Sequence, residues 1–301
     1  MNVLSLFDGM SCGQLALRSA GIKYDKYFAS EIDKYAMAVT QTNFPETVQL
    51  GDVQEVRPEQ LPKIDLLIGG SPCQGFSFAG KQLNFDDPRS KLFFEFVRLK
   101  NELKPKYFLL ENVRMKKESQ DIISKYLGAE PIVINSNLVS AQNRHRLYWT
   151  NIPNVQPPED KGILLEDVLE SGFCDREKSH CIDAHYFKGG NLKSYFKRHR
   201  RQLVFTGAAR RGRYNEDGKT TSQQLEFRFD GKANALTTTR KTTLAADLEN
   251  LTYRKLTVTE CERLQTVPEG YTAHVSNTQR YKMLGNGWTV DVIAHIFKEL
   301  H

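Results

Sequence analysis

No apolar run in this 301-residue chain approaches the roughly 20 residues that a membrane-crossing helix takes. The apolar segment near the start, Val3 to Phe7, is too short for a signal peptide. Neither a membrane partner nor secretion is therefore expected. Cysteine is scarce: Cys12, Cys73, Cys174, Cys181 and Cys261 are odd in number and far apart. That excludes a disulfide framework and points to a reducing, intracellular setting in which a thiol can work. Cys174, His180, Cys181 and His185 invite a zinc reading, but Cys-x6-Cys without a CxxC pair lacks the usual ligand spacing, so no metal is expected. Gly-x-Gly-x-x-Gly is absent, which removes the dinucleotide fingerprint. Internal repeats and low-complexity tracts are also missing, so solenoids and linker-like chains are excluded.

Hydrophobic residues make up 40% of the chain, enough for one large core and a smaller second lobe. The net charge of +6 is unevenly spread. Residues 185–255 hold 16 Lys plus Arg against 6 Asp plus Glu, and the remainder holds 26 against 30. A localised basic surface suits a phosphate backbone, because each neutralised phosphate releases condensed counterion.

From Asn2 to about Thr150, short apolar runs alternate with segments of helical period. Strands are expected at Val3–Phe7, Tyr27–Ser30, Leu66–Ile68, Phe108–Leu110, Ile132–Ile134 and Arg146–Trp149, and helices at Gln14–Ala20, Lys34–Asn43, Leu92–Leu103 and Ser119–Leu127. This order predicts an α/β protein with a doubly wound, mostly parallel sheet. The pattern breaks after Asn151 at a Pro-rich connector. Three units follow: a main domain over 1–151, a small irregular lobe over 163–251, and a return segment over 252–301. The last carries Val290, Ile293, Phe297 and Leu300 on one helical face, which is expected to pack back on the main domain.

Two regions carry chemistry at the carboxyl edge expected of the sheet, where open parallel sheets bind ligands. Phe7-Asp8-Gly9-Met10-Ser11-Cys12-Gly13 is a strand-to-helix turn whose small residues admit a ligand to the backbone. Glu31 falls where a carboxylate takes a ribose hydroxyl, and Asp52 where one accepts from an adenine amine. Gly69-Gly70-Ser71-Pro72-Cys73-Gln74-Gly75 follows an apolar run directly, so Cys73 sits on a glycine- and proline-rich loop with no apolar neighbours, the setting of a nucleophile rather than of a core thiol. Glu111 ends a strand of buried character, a costly place for a carboxylate without a partner or a task. Arg144 and Arg146 place two guanidiniums on one strand face.

Taken in order, these motifs resemble the DNA cytosine-5 methyltransferase family. The matching residues are the Phe7–Gly13 loop, Glu31, Asp52, Pro72-Cys73-Gln74, Glu111-Asn112-Val113 and Gln142-x-Arg144-x-Arg146. They continue with Arg254-Lys255-Leu256-Thr257, Glu262-Arg263-Leu264-Gln265, Pro268 and Gly285-Asn286-Gly287-Trp288. Ser11-Cys12 and Gly287-Trp288 depart from the commonest family form, which has Gly-Gly and Ser-Val. With Asp8 and Gly13 they are similar to the animal de novo enzymes.

The resemblance implies the S-adenosylmethionine-dependent methyltransferase fold and transfer of a methyl group from S-adenosyl-L-methionine to cytosine C5 in double-stranded DNA. Cytosine C5 is a weak nucleophile until C6 carries an adduct. Cys73 is the implied attacking thiolate, with Glu111 near N3 and the exocyclic amine and Arg144 and Arg146 as electrostatic partners. Implied cofactor contacts are Phe7, Asp8, Gly9, Met10, Cys12, Glu31, Ile32, Asp52, Val53, Pro72, Leu92, Asn286, Gly287 and Trp288. The basic lobe lies where the family reads its target, so Arg210, Arg211, Arg213, Thr238, Arg240 and Lys241 are candidate DNA contacts alongside Gln74 and Ser77. A stacked base must be flipped to be reached, and the loop 78–89 is a candidate lid.

Two rival readings stand beside this one. A tRNA cytosine methylase on the same motifs is disfavoured by the lack of a Cys-Phe-Thr signature, and a silent DNA-binding relative by the presence of both Cys73 and Glu111. With no appended reader domain, the expectation is a compact microbial or phage enzyme in the cytoplasm, with a cognate restriction endonuclease as a possible partner on the same sequence.

Overall fold

The structure, a computed structural model, describes residues 1–71, 88–206, 209–214, 221–226 and 252–300. Its first half alternates strand and helix: β1 (Asn2–Leu6), α1 (Cys12–Ser19), β2 (Lys26–Ser30), α2 (Lys34–Asn43), β3 (Val48–Gln49), β4 (Leu66–Gly69), α3 (Pro88–Leu103), β5 (Tyr107–Val113), α4 (Lys117–Leu127), β6 (Pro131–Asn135) and β7 (His145–Thr150). The strands form one seven-stranded sheet in the order β3-β2-β1-β4-β5-β7-β6. It is parallel through β5, while β7 runs antiparallel to both its neighbours.

All six expected strands form, with shifted ends. β1 stops at Leu6 because Phe7 takes a left-handed φ of 57° that no strand tolerates. β5 runs on to Val113, paired across to Arg146 of β7. The two-residue β3 was not anticipated; only Phe28 and Ala29 pair with it, too short a run to leave a period. No described helix is long and apolar enough to cross a membrane.

Alternation along each strand divides the core into two layers. Leu4, Leu6, Leu67, Phe108, Leu110, Leu147 and Trp149 face one side, under Phe93, Phe96 and Leu99 of α3 and Ile123 and Leu127 of α4. Val3, Leu66, Ile68, Leu109 and Tyr148 face the other, against α1 and the end of the chain. The sheet is therefore doubly wound.

The second half contains α5 (Leu165–Val168), α6 (Leu192–Arg198), β8 (Leu203–Thr206), β9 (Ala209–Tyr214), β10 (Thr221–Glu226), β11 (Thr252–Lys255), α7 (Val258–Leu264), α8 (Asn277–Asn286) and α9 (Val290–Phe297). α9 packs on α1, burying Val290, Ile293 and Phe297, each contributing about 1.5–3 kcal/mol. Leu165, Val168, Cys174, Ile182, Tyr186 and Val204 join this same core, so the first part of 163–251 is anchored beneath the return segment. β8 pairs antiparallel with β11, and β9 with β10. Local chemistry starts α7: the Thr257 hydroxyl accepts from Glu260 N at 3.1 Å while the Glu260 carboxylate accepts from Thr257 N at 2.7 Å, a reciprocal cap.

Gly285, in the last turn of α8, sits directly against the backbone of Asp183 and Ala184. A Cβ there would lie 2.2 Å from Asp183 C and 2.5 Å from Ala184 N, backbone that cannot swing aside. Gly285→Ala is expected to cost about 1–3 kcal/mol or more. Chemical denaturation measures this, and an unchanged midpoint would contradict the packing described.

Candidate active site

Register explains why the motif residues meet. Leu6 pairs with Ser30 and Gly69, and Gly69 with Leu110, so the next residues, Phe7, Glu31, Gly70 and Glu111, line up along one sheet edge. There they wall a cavity of about 520 Å³. Of the sequence candidates, Phe7, Asp8, Gly9, Cys12, Glu31, Ile32, Asp52, Val53, Leu92, Glu111, Arg144, Arg146, Asn286, Gly287 and Trp288 all line it. Residues 7–11 of the turn contain three left-handed φ values, at Phe7, Gly9 and Ser11, which curl the backbone around the cavity mouth.

On one side Glu31 is fixed by backbone donors: its Oε2 accepts from Gly9 N, and its Oε1 from Ile32 N and Asp33 N, each at 2.8 Å. Ile32 lines the cavity yet remains 74% exposed, an apolar side chain open to a ligand. Asp52 caps the following turn through Gln54 N at 2.9 Å. Carboxylates poised beside an uncovered apolar wall fit a nucleoside, with a ribose to hydrogen-bond and a base to cover.

On the other side Glu111, only 8% exposed, is held at both oxygens. Arg146 Nε meets Oε1 at 2.9 Å, and the Trp288 indole Nε1 donates to Oε2 at 3.0 Å. Burial works against the Arg146 charge, but Glu111 beside it outweighs this and the guanidinium pKa rises. Asn112 donates to the carbonyl and hydroxyl oxygens of buried Ser71, both at 3.2 Å, tying β5 to the residue that precedes Pro72 and Cys73. Pro72, Cys73, Gln74 and Ser77 lie outside the described residues, as does the expected lid except for Pro88 and Arg89, which open α3.

Three expected contacts differ in orientation. Met10 does not line the cavity; it is buried beneath it, and its carbonyl accepts from the Tyr271 hydroxyl at 2.7 Å. The Asp8 carboxylate turns inward to accept from Tyr27 and Ser11, at 2.8 and 2.5 Å. Arg144 spends Nη1 on Cys181 Sγ and Ile182 O, and Nη2 on Gly285 O and Gly287 O, so it braces the cavity wall. Burial pulls its pKa down, with Arg146 adding to the effect. Burial also lifts the Cys12 thiol to about 12, so it stays neutral.

Arg210, Arg211 and Arg213 fall on β9, paired to β10, while Thr238, Arg240 and Lys241 lie outside the described residues. Of the four residues weighed for zinc, Cys174 donates to Arg176 O, Cys181 accepts from Arg144, and the rings of His180 and His185 pack against Tyr195 and Phe187.

The model of the C-5 cytosine-specific DNA methylase family matches residues 1–301. The chain belongs to that family. Type II methyltransferase M1.ScrFI of Lactococcus lactis subsp. cremoris is 30% identical over 99% of this chain and 77% of its own length. Type II methyltransferase M.HhaI of Haemophilus parahaemolyticus is 28% identical over 98% and 93%. The Entamoeba histolytica methyltransferase EhMeth shares the fold at a TM-score of 0.71 and 18% identity, over 100% of this chain and 99% of that one. The architecture is the S-adenosylmethionine-dependent methyltransferase fold, and the chain is a DNA cytosine-5 methyltransferase.

Sequence reasoning missed several wall residues of this methyltransferase. Gly70 and Asn112 sat inside quoted motifs without a task. The Lys282–Asp33 ion pair, at 2.7 Å, closes the mouth between α8 and α2 and leaves no periodic trace. Gln265 was quoted but unexplained; its Nε2 donates to Leu284 O and Gly287 O, at 2.6 and 3.1 Å, from beneath the Gly287-Trp288 turn.

Asp8 gives a pH prediction. Burial raises its pKa from 3.8 to about 6, against the hydroxyls that bond it. The native state thus takes up a proton on folding between those values, so the stability it contributes is full below about pH 4 and is lost as pH rises through 6. The swing is at most about 3 kcal/mol. Asp8→Asn removes this titration, and the difference in stability between the two proteins, measured at pH 4 and pH 7, should change accordingly. Parallel profiles would contradict it.

Proposed function

We propose that this protein transfers a methyl group from S-adenosyl-L-methionine to C5 of a cytosine flipped out of double-stranded DNA, using Cys73 as nucleophile. The observation that carries this is Glu111, a buried carboxylate held by Arg146 and Trp288 on the far wall of a cavity whose near wall is Phe7, Glu31, Ile32 and Asp52. The wall carrying Glu31, Ile32 and Asp52 and the wall carrying Glu111 and Arg146 line one space.

Glu31 would hold the ribose hydroxyls and Ile32 would cover the adenine. Bound there, S-adenosylmethionine supplies a methyl group activated on a sulfonium. The Cys73 thiolate adds to C6, and the displaced electron pair is carried toward C5. Glu111 steadies the ring at N3 and the exocyclic amine, and Arg146 supports the developing negative charge. With the donor bound, C5 would take the methyl group and the donor would leave as a neutral thioether. The C5 proton passes to a base, the sulfur–C6 bond breaks, and the aromatic ring and the thiolate return. Arg144 takes no part at the ring and acts by holding the wall.

DNA is the substrate favoured by the basic segment 185–255, with β9 carrying Arg210, Arg211 and Arg213. Two relatives are named type II methyltransferases, which supports a role in protecting DNA from a cognate endonuclease.

Transfer of labelled methyl to unmethylated duplex DNA, mapped by bisulfite sequencing, tests the proposal. Wild type should mark C5 of cytosine in one sequence context, and Cys73→Ser should lose at least about 10³-fold in rate. Cysteine-dependent label on tRNA but not on DNA would move the substrate to RNA, and no label on either would favour a silent DNA-binding relative.

A further inference from the structure

Trp288 arrives at Glu111 from the opposite end of the chain. Its indole Nε1 donates to Glu111 Oε2 at 3.0 Å while Arg146 occupies Oε1. A carboxylate held at one oxygen can still turn about its terminal bond; one held at both, from β7 and from the turn after α8, cannot. Each oxygen can accept more than one hydrogen bond, so capacity remains for a ligand. An indole N–H only donates, so the direction of this bond is unambiguous.

The turn that carries Trp288 is itself fastened. Gly287 O accepts from Arg144 Nη2 at 2.8 Å and from Gln265 Nε2 at 3.1 Å, Gly287 N donates to Met283 O at 2.7 Å, and Val290 N to Gln265 O at 3.0 Å. Gly70 supplies a second, independent observation. A Cβ at Gly70 would stand 3.0 Å from Trp288 Nε1 and 3.1 Å from Glu111 Oε2. The hydrogen bond runs across the bare face of this glycine, and any side chain there would wedge into it.

Resting on the reading that Glu111 meets the target base, we propose that Trp288 is a positioning residue for the Glu111 carboxylate, beyond its place in the wall of the cofactor cavity. The indole N–H fixes the plane in which Glu111 presents its oxygens to the base. Loss of the N–H therefore acts on the transfer step and not on retention of the methyl donor.

Trp288→Phe keeps an aromatic ring and deletes the donor. A hydrogen bond to a charged group corresponds to a loss of about tenfold or more. At saturating S-adenosylmethionine, with its Kd measured by calorimetry for both proteins, single-turnover methyl transfer should fall by that factor. An unchanged rate, or a loss explained by weaker donor binding, would overturn the proposal. A spectroscopic arm does not depend on activity. The other tryptophan, Trp149, is fully buried and donates to Ser124 Oγ at 3.0 Å, so Trp288 emission can be isolated as the difference between wild type and Trp288→Phe. Glu111→Gln should alter that difference spectrum, and an identical spectrum would overturn the contact. Full methyl transfer by Glu111→Gln would instead overturn the reading of Glu111 itself, whatever the spectrum shows.

Discussion

One buried guanidinium ties the sheet to the second half of the chain. Arg144, just ahead of β7, bonds to Ile182 O, Gly285 O and Gly287 O and to Cys181 Sγ, spanning the sheet, the middle segment and the return segment. An arginine charge out of water is costly unless its donors are met, and here backbone carbonyls meet them. Two of those carbonyls, Gly285 O and Gly287 O, flank the turn that places Trp288, so the arginine also shapes the wall of the cavity. Gln142 and Gln265 extend the brace: Gln142 Nε2 reaches Leu264 O and Gln265 Oε1, and Thr289 Oγ1 donates to the same Gln265 oxygen.

Two carboxylates of the return segment are likewise buried and partnered. Glu260 and Glu262 are both fully buried. Glu260 takes a two-pronged contact from Arg254 at 2.7 Å, and that pairing raises the arginine's pKa. Glu262 accepts from Gly270 N, Thr272 N, the Thr272 hydroxyl and Arg280. Removing either carboxylate's partner would leave a buried charge unmatched, which makes these pairs determinants of a single arrangement more than sources of net stability. The cavity inherits that rigidity on one wall. On the other, the Lys282–Asp33 pair is half exposed and contributes little.

Much of this was legible in the sequence because periodicity and sheet-edge chemistry are local. Phe7 to Gly13 and Glu31 each follow an apolar strand and Glu111 lies toward the end of another, and in a parallel sheet that alone puts them at one edge. Orientation was not legible. Nothing local says that Asp8 turns toward Tyr27, that Met10 lies beneath Tyr271, or that Arg144 faces carbonyls about 140 residues onward, because those outcomes are set by long-range packing. The anchoring of residues 165–204 was hidden for a related reason: the charge excess of 185–255 describes the surface, while a few apolar side chains such as Tyr186 and Val204 decide the packing.

The central claim is that these walls enclose a cytosine under attack at C6. Mass spectrometry of the protein incubated with S-adenosylmethionine and duplex DNA carrying 5-fluorocytosine tests it most directly, since fluorine at C5 cannot leave as a proton and the adduct cannot resolve. The account predicts a covalent protein–DNA complex carrying one added methyl group, formed by wild type and absent from Cys73→Ser. Wild-type protein that binds both the methyl donor and the DNA yet forms no such complex would contradict it.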